Sequence, residues 1–66
     1  MLGTHVRRIR KLRKRTLAEV AAELGVQTST LSKMERGAMR ISAGQMAELA
    51  RILEVRVGRL YGEASR

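Results

Sequence analysis

The stretch Gly25-Val26-Gln27-Thr28-Ser29-Thr30-Leu31-Ser32-Lys33-Met34-Glu35-Arg36-Gly37 decides how this chain is read. It has the form of a turn, then a short helix closed by a second glycine. At about 100° per residue, Leu31 and Met34 fall on one face of that helix, and Ser29, Ser32, Lys33 and Arg36 spread over the other. The outward face is thus nearly all hydroxyl or cation. A helix from Thr28 to Arg36 is shorter than the ~12 residues at which an isolated helix becomes even marginal in water. Leu31 and Met34 must therefore anchor it to the rest of the chain.

Upstream of this stretch, Thr16-Leu17-Ala18-Glu19 fits a capping box, in which the Thr hydroxyl and the Glu carboxylate each satisfy an orphan amide of a first helical turn. Leu17, Val20, Ala21 and Leu24 follow at helical spacing, with Glu19 and Glu23 on the outer side. Gly25 ends this helix as a residue that reaches positive φ without steric cost. Only Val26 and Gln27 separate it from the next helix, so the two must cross sharply.

Further toward the beginning, residues 1–15 hold seven cations (Arg7, Arg8, Arg10, Lys11, Arg13, Lys14 and Arg15) and no acid. Val6, Ile9 and Leu12 recur every third position, which predicts a first helix with Thr4 as its N-cap in place of a disordered basic arm. His5, in its first turn, is expected to face solvent or a phosphate, since a lone histidine there has no partners for ligation or catalysis.

Downstream, Ala38 to Ile41 make a loop carrying Arg40. Ser42-Ala43-Gly44-Gln45 is a second capping box, and Met46, Leu49, Ala50 and Leu53 give a fourth helix its apolar face. Gly44 in its first turn costs up to about 1 kcal/mol relative to Ala, and the sequence offers no reason for it other than close packing. Val55 and Val57 alternate as in a strand, but a lone strand would have no partner, so a short fifth helix is expected through Leu60 and Tyr61. Residues 62–66 read as a frayed end.

The totals narrow the function classes. Sixty-six residues make one small domain with an economical core. The chain lacks Cys and has one His, which leaves no disulfide, structural zinc or dithiol redox site. Asp is absent too, removing a Ser-His-Asp arrangement, so no enzyme and no cofactor are expected. Fourteen Lys and Arg against six Glu give a formal charge of +8, which points to a polyanionic partner, nucleic acid ahead of membrane. No apolar run approaches the ~20 residues of a membrane span, nor do the N-terminal charges precede the apolar segment of a secretory signal. A cytoplasmic protein is expected. The hydroxyl and cationic face between Gly25 and Gly37 suits a groove in DNA.

From Thr16 to Gly37 the sequence resembles the helix-turn-helix of the Cro and phage-repressor-like (XRE-type) DNA-binding domains, and the likeness extends from about Val6 to Tyr61. Ala21 is small where two helices approach, Gly25 makes the turn, Val26, Leu31 and Met34 fill the space between them, and Gly37 closes the third helix. The resemblance implies an all-α, five-helix bundle of the lambda-repressor-like type, with helix-turn-helix at residues 16–37 and bacterial or phage origin. It implies a homodimer on double-stranded DNA, with the third helix in the major groove of a palindromic operator. Thr28, Ser29 and Lys33 would then face base edges, as Lys can donate to guanine and Thr or Ser to several bases. Arg36, Arg40 and the start of the second helix at Leu17 would meet phosphates. The same analogy pairs Arg10 with Glu35. Val57, Leu60 and Tyr61 either complete the core or, in part and together with Ile52, offer apolar surface that would form the dimer contact across a two-fold axis.

The chain departs from the family pattern at three places. Leu17 stands where many relatives have a phosphate-touching Gln, so contact there reduces to backbone. Lys14-Arg15 replaces a common Gly-Leu, making a more cationic and more helical link. Glu54 stands where a helix-ending Gly is common, with Arg56 where a Ser or Pro often opens the last helix. The functional expectation is a transcriptional regulator, of repressor type. An alternative keeps the DNA binding and makes the chain an antitoxin holding a toxin on another surface. RNA binding is disfavoured because Tyr61 is the only aromatic residue, leaving no platform for unpaired bases.

Overall fold

Local chemistry sets where the helices begin and end. In the computed structural model, which describes residues 2–62, the chain forms α1 (Leu2–Leu12), α2 (Leu17–Leu24), α3 (Thr28–Arg36), α4 (Ala43–Leu53) and α5 (Val57–Leu60). No strand occurs among the described residues. Both capping boxes form: the Thr16 hydroxyl accepts from the Glu19 amide at 3.1 Å while the Thr16 amide donates to the Glu19 carboxylate at 3.0 Å. Ser42 and Gln45 repeat the exchange at the start of α4, at 3.1 and 2.9 Å. Such caps contribute roughly 1 kcal/mol each. Gly25 and Gly37 take left-handed conformations with φ 84° and 82°, and their amides close the last turns of α2 and α3.

The core gathers from all five helices. Val6, Val20, Leu31, Met46, Leu49 and Leu60 are fully buried, with Ile9, Ala21, Met34, Ile52 and Leu53 nearly so. Burying an aliphatic side chain of this size is worth about 1.5–3 kcal/mol. α1 lies against α3, α2 packs on both α3 and α4, and α5 packs on α4 and α1. The molecule measures 32 × 22 × 19 Å.

Several expectations for α1 are corrected. The helix starts at Leu2, so Thr4 is an exposed residue within it and caps nothing. Its buried side is Gly3, Val6, Ile9 and Arg10, and Leu12 is 63% exposed. A strict three-residue period falls back about 60° per step, so Leu12 has rotated off the stripe that Val6 and Ile9 begin. Gly3 explains the early start: a Cβ there would lie 2.7 Å from the Glu35 carbonyl oxygen and closer still to that of Met34, so α1 and α3 approach backbone to backbone. His5 is half-buried beneath Gly62, and its Nδ1 is buried without a hydrogen-bond partner among the described residues. The Lys14-Arg15 link is a turn with Lys14 at φ 57°, and α1 ends before it.

At the other end of the chain, Gly44 is exposed with only the Ser42 hydroxyl near a would-be Cβ, at 3.9 Å, so close packing does not account for it. Glu54 occupies the left-handed C-cap of α4 at φ 61°, the conformation a glycine would take at less cost. Its carboxylate pairs with Arg13 at 2.9 Å, and both side chains are exposed enough for that pair to contribute little. The frayed end expected over 62–66 lies, from residue 63 on, outside the described residues.

Candidate nucleic-acid interface

Two faces of α3 divide the labour. Leu31, Met34 and Glu35 point into the molecule, at 0%, 2% and 5% exposure. Ser29, Lys33 and Arg36 are exposed on the opposite side, Thr28 is exposed in the first turn, and Arg40 is exposed in the loop that follows. The side chains of Thr28, Ser29 and Lys33 make no hydrogen bond or ion pair among the described residues; Arg36 reaches only the Ser32 carbonyl of its own helix, at 3.4 Å. These donors and acceptors are therefore available to a ligand. Gln27, the N-cap of α3, makes no side-chain cap, which leaves the first amides of the helix open as well.

What fixes α3 from behind is a buried ion pair. Arg10 Nε donates to Glu35 Oε2 at 2.7 Å and Nη2 to Oε1 at 3.1 Å, a two-pronged contact, while Nη1 donates to the Arg15 carbonyl at 2.9 Å. Both side chains are at least nine-tenths covered. Two charges out of water are tolerated here because each prong of the guanidinium finds an acceptor. Ala21, 1% exposed, gives α2 the small side chain where it packs on α3. Val26 and Leu17 are half-buried against the core, so Leu17 offers its backbone at the start of α2 and little side chain.

Charges elsewhere are sorted in the same way. Arg15 donates to Glu19 at 3.4 Å, to Glu23 at short range, and to the Ile52 carbonyl at 3.4 Å, linking α2 to the end of α4. Its guanidinium pKa is raised, chiefly by the hydrogen bond to Glu23. Glu19 is held below its ordinary value, first by the Thr16 amide and then by Arg15. With Arg13–Glu54 and Arg51–Glu48, all five Glu of the described residues are paired. Lys33, Arg36 and Arg40 have no carboxylate partner among those residues, so the exposed side of α3 carries uncompensated positive charge. No cluster of His, Cys, Asp or Glu that could hold a metal occurs there, and no helix among the described residues is long and apolar enough to cross a membrane.

Of the four residues expected at a dimer contact, the structure removes two. Ile52 is 5% exposed and Leu60 is fully buried in the chain's own core, because α5 packs onto α4 and α1 and both side chains are consumed there. Val57 and Tyr61 remain exposed, at 42% and 43%.

The profile of the helix-turn-helix family HTH_3 matches residues 6–60. The chain belongs to this XRE/Cro-like helix-turn-helix family. Among solved structures, it is similar to the clp gene regulator ClgR from C. glutamicum, with 31% identity and a TM-score of 0.89 over 97% of this chain and 83% of that one. It is also similar to SinR, a master regulator for biofilm formation solved in complex with DNA, with 31% identity and a TM-score of 0.82 over 92% of this chain and 98% of that one. No curated protein matches. Family and neighbours are regulators and not enzymes, and they support a DNA-binding transcriptional regulator.

Proposed function

We propose that this helix-turn-helix protein is a sequence-specific regulator that binds double-stranded DNA as a two-fold dimer and represses transcription from a palindromic operator. The observation that carries the reading is the outward face of α3: exposed, unpartnered Thr28, Ser29 and Lys33, flanked by unpaired Arg36 and Arg40, on a helix locked from behind by Arg10 and Glu35. The neighbour SinR, solved with DNA, supports it. In this reading Thr28, Ser29 and Lys33 meet base edges in the major groove, and Arg36, Arg40 and the amides at the start of α2 hold phosphates. Gly25, Val26 and Gly37 place α3, and Ala21, Leu31 and Met34 pack it against the body. The self-contact uses Val57 and Tyr61, and places two copies of α3 about 34 Å apart, one turn of the duplex.

Selection of bound sequences from random duplexes tests this. An enriched two-fold symmetric site with half-sites about one helical turn apart is the expected result; no enrichment over the starting pool overturns it. Roughly 3–6 phosphate contacts per protomer predict that log affinity falls with log salt at a slope of about −3 to −5 per protomer. Sedimentation showing a monomer both free and on the selected site would remove the dimer.

A further inference from the structure

We propose that the side of α1 turned away from α3 is a docking surface for an acidic, amphipathic segment of a partner protein. Gly3 and Arg10 are residues through which α1 meets α3. Arg8 and Leu12 lie roughly 140–180° round the helix from both of them. Thr4 and Lys11 lie about 80–120° and Arg7 about 40–60° round from the same two residues, so the surface runs from the flank of α1 to its side turned away from α3. Leu12 is the most exposed large apolar side chain of the described residues, at 63%. With Thr4, Arg7, Arg8 and Lys11 it lines a shallow groove of about 440 Å³.

The charge around Leu12 has no internal counterpart. Arg7, Arg8 and Lys11 form no ion pair among the described residues, where every Glu is committed to Arg10, Arg13, Arg15 or Arg51. A second copy of this surface would set like charge against like charge. A lipid surface rewards a broad apolar face, and the other large apolar side chains of α1 face the core: Val6 and Ile9 are buried within it and Leu2 packs against it. A nucleic acid would neutralise the cations and leave Leu12 without a partner. A segment with carboxylates around an apolar side chain satisfies both features at once, and that complementarity of charge and shape selects it.

The test titrates the 66-residue chain, free in solution, with a synthetic helical peptide of Glu and Leu and with the same peptide carrying Ser for Leu, followed by amide chemical shifts. Shifts centred on residues 4–12 and about tenfold tighter binding of the Leu peptide are expected, a factor that a single buried aliphatic contact supplies. Leu12→Ser should erase that tenfold preference, and Arg8→Glu with Lys11→Glu should abolish binding of both peptides. All three side chains are exposed, and an unchanged thermal melting curve shows that the variants fold. Equal affinity for the two peptides overturns the proposal, as do shifts centred on Lys33 and Arg36. Binding of anionic lipid vesicles or of a random duplex at Arg8 and Leu12 in preference to the Leu peptide overturns it too. A repeat with the chain bound to duplex DNA should give the same peptide affinity; the free-chain arm stands whether or not α3 reads DNA.

Discussion

α2 and α3 are neighbours of nearly equal length, and they are stabilised in opposite ways. α2 is locally complete: Thr16 and Glu19 cap it, and both of its carboxylates are paired with Arg15. α3 has no side-chain cap at Gln27, and the hydroxyls and cations of its outer face are left without carboxylate or side-chain partners. Its order is borrowed from behind, through Leu31, Met34, the Arg10–Glu35 pair and the close approach of Gly3. The difference is what the reading role proposed for α3 would require. Polar groups that finished the helix locally would be unavailable to a ligand, so stability comes from tertiary contacts on the far side.

Removing the far-side support should give the largest effects. Glu35→Ala leaves Arg10 buried and uncompensated, and should cost about 3–5 kcal/mol in chemical denaturation. The double change Arg10→Met with Glu35→Leu should recover most of that loss, which separates the cost of a stranded charge from the worth of the pair. Leu31→Ala should cost roughly 2–5 kcal/mol, because a fully buried side chain is replaced by a cavity between α3 and the body. Gly3→Ala should cost about 1–3 kcal/mol, since its methyl group meets backbone carbonyls that cannot rotate aside. If Gly3→Ala melted with the parent, the proximity of α1 to α3 would contribute nothing to holding α3.

The outer face should respond in binding and not in folding. Lys33→Ala should cost about 1–3 kcal/mol on the selected site and relax preference at one or two base pairs, whereas Arg40→Ala should weaken all sequences alike and reduce the salt slope by about 1. Unchanged affinity and preference in Lys33→Ala would sink its base-reading role. The smallest effect belongs to α2. The Glu19 carboxyl is held below its ordinary value of 4.5, so the folded state binds that proton less readily than the unfolded one. Its contribution is present above about pH 4.5 and is lost as the pH falls through the lower folded value. Acid melts of the parent and of Glu19→Gln should therefore converge below that range and separate above it.

Much of the fold was legible because it is written in local chemistry. Capping boxes and terminal glycines act over three or four residues, so Thr16, Ser42, Gly25 and Gly37 declared the ends of α2, α3 and α4. The start of α1 was not legible, because it depends on a long-range approach: Gly3 matters only through the carbonyls of Met34 and Glu35, far along the chain. Leu12 misled because a spacing of three imitates a stripe over one step, from Val6 to Ile9, and then drifts. Ile52 lies off the stripe of Met46, Leu49, Ala50 and Leu53, yet it is buried because α2 and α5 both pack on α4 and widen its buried arc, and Leu60 is spent where α5 packs on α4 and α1. The outward set of α3 followed from helical periodicity together with Leu31 and Met34. The Arg10–Glu35 pair came from the resemblance alone, and which other cations are spent on carboxylates was beyond reach, since Arg13 and Glu54 meet only in three dimensions.

Two of the links from α1 to α3 meet at neighbouring residues, Gly3 against the carbonyls of Met34 and Glu35 and Arg10 on the Glu35 carboxylate. Positions 28, 29 and 33 take no part in either. If the proposed reading role holds, the outer face can be exchanged as a cartridge: a library randomised at those three positions keeps the chassis, and new operator preferences can be sought without redesigning what holds the helix in place.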